Sequence, residues 1–233
     1  MPPFLHRLAL LLCLTTPAAA QDTDLELVLL ADASGSISQA ELMFQRLSYA
    51  KAITDPRVLG AIAETAYGSI AVTYVEWATG QGVVVPWTRI ATEDQARAFA
   101  AALTDGGPRG SNGRNAIGSA LLFGRDLIDG NDIEGWRKVI DFSGDTDGNT
   151  YGPPIEQARD AVVADGITIN ALAVTAEGAR ADLPDVYERR IIGGNGAFVV
   201  EAATRDTFVD AIRRKLILEI AGRMPPRRVA RAD

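Results

Sequence analysis

Short apolar runs alternate along the chain with stretches in which apolar residues recur every three or four positions, and this alternation predicts strands interleaved with helices. Leu25 to Ala31 (LELVLLA) reads as a buried strand, and the helix after it spans about Gln39 to Thr54, with Met43, Leu47, Ala50 and Thr54 at helical spacing. Asp55-Pro56 stops it, because a residue preceding proline is driven out of the helical region. A short helix near Val58 to Ala66 leads to two strands, Ser69 to Trp77 and Val83 to Pro86, close enough in sequence to pair as an antiparallel hairpin. Thr92 and Gln95 form a capping box for a helix through Leu103. A glycine-rich loop, Asp105 to Arg114, then enters a helix ending near Ile128.

The second half continues in the same way. Strands are predicted at Lys138 to Ser143, Ile167 to Val174 and Ala197 to Glu201. Helices are predicted at Pro154 to Asp165, stopped by Gly166, near Pro184 to Arg189, and from Asp206 to Ala221, with Phe208, Ile212, Leu216 and Ile220 down one stripe. The expected fold is α/β and doubly wound: a mainly parallel six-stranded sheet with one antiparallel edge strand and helices on both faces. In such sheets the ligand crevice lies beyond the carboxyl ends of the strands, where the strand order reverses.

The first twenty residues do not fit this alternation. His6 and Arg7 precede the apolar stretch Leu8 to Leu14, and Pro17-Ala18-Ala19-Ala20 supplies small residues before Gln21, so residues 1–20 read as a cleavable export signal, too short for a stable membrane span. The expected destination is the periplasm or the exterior. This segment holds the only Cys and the only His of the 233 residues. Without it, Cys-His and Ser-His-Asp catalysis, disulfides and His/Cys zinc sites are all excluded. Removing Arg7 with it leaves 22 basic against 30 acidic residues, a formal charge of −8, which argues against nucleic-acid binding. The expected organisation is an export segment over 1–20, one domain over 21–222 and a basic tail over 223–233 bearing Arg223, Arg227, Arg228 and Arg231.

With no soft ligands, a bound metal must be a hard cation held by oxygen. Asp32, Ser34 and Ser36 stand at alternate positions just after the first strand, and Gly35 lets the backbone bend. Asp145, after the strand expected beside the first, offers a second carboxylate, and Asn115 an amide oxygen from a third loop. Two carboxylates roughly neutralise a dication and leave a position for water or an incoming acid.

The D-x-S-x-S turn, the later loop before an apolar helix and the aspartate ending the fourth strand resemble the von Willebrand factor type A domain over about Leu25 to Ala221. Segments such as VTYVEW, VIDFSGD, ITINALAV, IIGGNGAFVV and RRKLILEIAG resemble more narrowly an uncharacterised group of exported bacterial proteins built on that domain. The resemblance implies a metal-ion-dependent adhesion site: two serines on the metal, aspartates acting directly or through water, a threonine from the middle loop, and a partner's acidic side chain in the open position. Here Asn115 stands where that threonine is expected, with Ser111 the nearest hydroxyl. The implied function is recognition of a protein presenting Asp or Glu, with Mg²⁺ as the expected ion and Mn²⁺ or Ca²⁺ as alternatives.

Other readings are weaker. Asp145-Thr146-Asp147-Gly148-Asn149 resembles the nucleophile loop of haloacid-dehalogenase-type phosphatases, but Lys215 is the only later lysine and lies on the last helix. An EF-hand register would put Pro154 at the glutamate position. Gly193-Gly194-Asn195-Gly196 lacks the lysine and helix of a phosphate loop and reads as a turn. A metal-free protein-binding scaffold remains the third class. Trp77 is weighed between partner contact and packing, while Trp87 and Trp136 are assigned to packing.

Overall fold

The computed structural model describes residues 21–105, 107–175 and 180–225. The predicted export signal over 1–20 and the arginines of the tail beyond 225 lie outside the described residues.

The central strand, β1 (Gln21–Asp32), alternates leucines toward one face with Val28 and Leu30 toward the other. After β1 come α1 (Gln39–Ile53) and α2 (Pro56–Ala63), the hairpin β2 (Ile70–Trp77) and β3 (Gln81–Ile90), and α3 (Glu93–Thr104). The second half contains α4 (Ile117–Asp129), β4 (Ile133–Gly144), α5 (Ile155–Ala164), β5 (Thr168–Val174), α6 (Leu183–Arg190), β6 (Val199–Ala202) and α7 (Arg205–Ala221). The sheet order is β3-β2-β1-β4-β5-β6, with only the β2–β3 pair antiparallel. This is the predicted doubly wound architecture. The order reverses at β1, whose neighbours β2 and β4 both run parallel to it.

Two apolar layers enclose the sheet. Residues of α1, α2, α3 and α7 pack on one face, including Tyr49, Phe99, Phe208 and Leu216. Residues of α4, α5 and α6 pack on the other, including Leu121, Val162 and Tyr187. The predicted stripe Phe208, Ile212, Leu216 and Ile220 is buried as expected. Strand β4 begins five residues before the predicted start at Lys138, since its first residues pair with the start of β1 even though their side chains alternate in exposure.

Two tryptophans correct or sharpen the reading. Trp136 is 73% exposed and does not pack. Trp77 is fully buried: its indole stacks on Phe142 at 5.1 Å and donates to the Ser143 carbonyl at 3.0 Å, so it supports the carboxyl end of β4 from beneath. Trp87 is half-buried and donates to the Leu127 carbonyl.

Helical periodicity also conceals a buried charge. Lys215, one residue off the apolar stripe of α7, is fully buried with its ammonium 2.8 Å from Asp141 on β4 and 2.5 Å from Glu219. Asn170 of β5 donates to Glu219 at 3.0 Å and accepts from the Phe198 N–H. Burial pushes the Glu219 carboxyl up and the Lys215 charge opposes that shift. Removing one member of such a group leaves an uncompensated charge in a dry core. Lys215→Met is therefore expected to lower unfolding free energy by about 3–5 kcal/mol, measured from urea midpoints. A loss no greater than that of a surface substitution would show that the network carries no weight.

Candidate metal centre

The turn after β1 forms for local reasons. The Asp32 Oδ1 accepts the Ser34 N–H at 2.7 Å, an Asx turn that brings the Ser34 and Ser36 hydroxyls to 3.1 Å of one another. Neither serine caps the following helix. That role falls to Ser38, in a capping box with Glu41.

Two guanidinium groups set this turn against the glycine-rich loop. Arg109 donates to the Ala33 carbonyl at 2.8 Å and to the Ile37 carbonyl at 2.7 Å, bracketing the turn's backbone. Arg46, fully buried on α1, pairs with the equally buried Glu76 at 2.7 Å and donates to the carbonyls of Gly107 and Pro108. The other Glu76 oxygen accepts the Gly110 N–H at 2.6 Å. Glycine is required where this loop meets the hairpin: a Cβ on Gly82 would lie 2.0 Å from the Gly110 oxygen. Gly113, at φ +109°, turns the chain so that its carbonyl accepts the Gly35 N–H at 2.7 Å.

The third loop, after β4, closes on the second. The Asn115 carbonyl accepts the N–H groups of Thr150 and Tyr151, and Asn149 Oδ1 accepts the Gly118 N–H in the first turn of α4. Asn149 therefore does the work that helix capping would ask of Asn115, whose own Oδ1 is buried with no hydrogen-bond partner. Ser111 turns elsewhere, its hydroxyl donating to the Gly80 carbonyl at 2.6 Å.

Asp32, Ser36, Asn115 and Asp145 all line one cleft of about 660 Å³, with Ser34 hydrogen-bonded to Ser36 at its edge. Asp32 is 2% exposed, and its Oδ2, like the Asn115 Oδ1, has no hydrogen-bond partner. Burial, helped by the charge of Asp145 and opposed by the Ser34 N–H, pushes the Asp32 carboxyl up to about 7. Asp145 is also raised, by burial first and then by Glu41. Glu41, on the same cleft, was not among the residues singled out from sequence.

The donor set fits a hard cation: two carboxylates that repel each other, two hydroxyls and an amide oxygen, two of these oxygens orphaned. Among the described residues no group of three or more His, Cys, Asp or Glu could hold a metal, so an ion here would draw on the neutral oxygens too. Asp147 points away, its carboxylate 2.7 Å from Arg180 and 3.1 Å from Arg190.

A sheet of this order, with an acidic turn at its switch point, defines a protein of the von Willebrand factor type A fold. Solved structures agree in fold. The von Willebrand factor type A protein from Catenulispora acidiphila superimposes with a TM-score of 0.57 at 16% identity, covering 85% of this chain and 43% of that one. Proximal thread matrix protein 1 from the mussel byssus, with a zinc-occupied MIDAS motif, gives 0.60 at 17% identity, covering 87% and 49%. The vWF domain of the type V pili tip protein Mfa5 from Porphyromonas gingivalis gives 0.59 at 11% identity, covering 88% and 98%. The chain thus spans less than half of the first two and nearly all of the third. Residues 22–224 match the model of the family described as Protein of unknown function (DUF1194), and the chain belongs to that family. The search of curated proteins finds no match.

The raised Asp32 carboxyl has a signed consequence. Between the ordinary carboxylate range and about 7 the folded protein keeps a proton that the unfolded chain releases, so without a cation stability falls as pH rises through that window. Asp32→Asn is expected to flatten the decline and to raise stability in chelator at about pH 8 by roughly 1–3 kcal/mol. Urea unfolding in chelator across pH checks this, and parallel profiles for the two proteins would contradict it.

Proposed function

We propose that the chain is an exported recognition domain that holds a divalent cation at the β1 switch point and uses it to engage an acidic group on a protein partner. The observation that carries this reading is the pair of orphaned buried oxygens, Asp32 Oδ2 and Asn115 Oδ1, in one cleft with Asp145 and Ser36. Buried polar atoms in a folded protein normally have partners, and an atom without one points to something that completes it.

In this reading Asp32 and Asp145 neutralise the ion, Ser34 and Ser36 contribute hydroxyl oxygens, and Asn115 contributes its amide oxygen in place of a threonine. When bound, the cation supplies a Lewis-acidic position that a partner's carboxylate can fill. Gln45 donates to the Asp32 carbonyl at 3.1 Å, and Arg109 secures the same turn, so the carboxylate is held ready before any ligand arrives. An all-oxygen set favours Mg²⁺ or Mn²⁺, although the related fold with a zinc-occupied motif makes Zn²⁺ a necessary comparison. The pili tip protein among the similar folds lends support to an exported, adhesive role. Turnover is not part of the proposal: the Asp147 carboxylate, which a phosphatase would need as an acid, is engaged by two arginines.

Thermal unfolding with Mg²⁺, Mn²⁺ or Zn²⁺ against chelator tests the reading, because a ligand bound only by the native state stabilises it by about 2.7 kcal/mol at a hundred times Kd. Asp32→Asn is expected to abolish the cation-induced shift. Asn115→Ala should weaken cation affinity about tenfold or more, while Ser111→Ala leaves it unchanged. No shift with any of the three ions would overturn the metal-dependent function.

A further inference from the structure

The cleft does not end at the acidic turn. From Asp32 and Asp145 it extends along the seam between α1 and α7, where its walls become Phe44, Val174 and Phe208. Phe44 and Phe208 meet at 5.4 Å, and the Arg205 guanidinium lies 4.6 Å above the Phe44 ring. At about 660 Å³ the cavity is far larger than one carboxylate needs and falls within the range of about 300–1,000 Å³ that takes a compact organic ligand.

Arg205 is not explained by the helix it opens. It is the first residue of α7, where the unpaired N–H groups disfavour a cation, and among the described residues it makes no ion pair, its contact being the Phe44 ring. Its guanidinium keeps hydrogen-bonding capacity at the mouth of the cleft. Glu41, within electrostatic reach of both Asp145 and Arg205, has one oxygen on the Ser38 N–H at 2.8 Å. A negative group held over the middle of the cleft would therefore be repelled, whereas an apolar group would cover the half-buried Phe44, which rests on the buried Phe208.

We propose that this cleft reads an acidic peptide segment of a partner protein at two charged points, one carboxylate at the metal centre and a second on Arg205, with an apolar side chain between them against Phe44. The inference rests on the metal reading above and adds the sequence class of the ligand, acid–apolar–acid.

The test uses fluorescein-labelled, C-terminally amidated peptides in which two aspartates are separated by one, two or three residues, with phenylalanine or glycine between them. Binding is read by anisotropy in a saturating concentration of whichever ion gives the largest thermal shift. The expectation is that, at the best spacing, replacing the distal aspartate by asparagine weakens binding to the unmodified protein about tenfold, as for a charge-assisted hydrogen bond. The same replacement should have no effect on Arg205→Gln, and Arg205→Lys should restore part of the discrimination. Glycine in place of phenylalanine should weaken binding severalfold. Equal binding of singly and doubly acidic peptides, or equal discrimination by the unmodified protein and Arg205→Gln, would overturn the two-point proposal. Ion-induced stabilisation without peptide binding overturns it as well and leaves the metal reading standing. Absence of any ion-induced stabilisation removes both.

Discussion

The ion pair between Arg46 and Glu76 is the contact on which the geometry of the candidate site depends. Both side chains are fully buried, so the Coulomb attraction is largely offset by the cost of taking two charges out of water. Its contribution is positional. Arg46 belongs to α1, Glu76 to β2, and the remaining capacity of both groups is spent on the backbone of Gly107, Pro108 and Gly110. One pair thus fixes a loop that has no regular secondary structure of its own relative to two elements of the core. Arg109, carried by that loop, returns the constraint to the turn after β1 through the carbonyls of Ala33 and Ile37. Three segments far apart in sequence become one surface through two guanidiniums.

The same chemistry makes Asp32 stand out. Among the described buried carboxylates, Glu76 faces Arg46, Asp141 and Glu219 face Lys215, Glu26 accepts from Gly135 and Asn131, and Asp24 accepts the N–H groups of Tyr67 and Ser69. Asp32 has one oxygen on the Ser34 N–H and the other without a partner, beside a second acid. A fold that faces its other buried acids with basic groups or amides, yet sets this one beside a second acid with no cation facing it, concentrates unfavourable electrostatics at the strand switch point.

The parts of this arrangement visible in the sequence are those with a local signal. Apolar runs and helical spacing located the strands and helices, and the place of Asp145 after the strand beside β1 followed from the alternation. The contacts that assemble the site are pairings across 30 to 76 positions, such as Arg46 with Glu76 or Arg109 with Ala33, and no local period encodes them. Asn149 was missed for the same reason: its role in the first turn of α4 spans 31 positions. Lys215 stands one residue from the apolar stripe of the last helix, and only its placement opposite Asp141 shows that it is buried. Trp136 errs in the opposite direction. Its size suggests packing, but it lies in the first half of β4, where exposure alternates, and it stays exposed.

Charge counting connects the departure at Asn115 with the kind of partner that fits. An amide oxygen is neutral, as a threonine hydroxyl would be, so the substitution changes shape and reach without changing the balance of two carboxylates against a dication. Two ionised carboxylates and a dication would sum to no net charge, and a partner's carboxylate would make the filled centre anionic. The chain as a whole is already negative, at −7, which repels acidic partners at long range. At physiological ionic strength that repulsion decays over about 8 Å, whereas contact at the centre acts at bonding distance. If the proposed centre takes up a cation, recognition of an acid by this acidic chain would be confined to ligands that reach into the cleft, where the loops pinned by Arg46 and Arg109 already hold the turn after β1 in place.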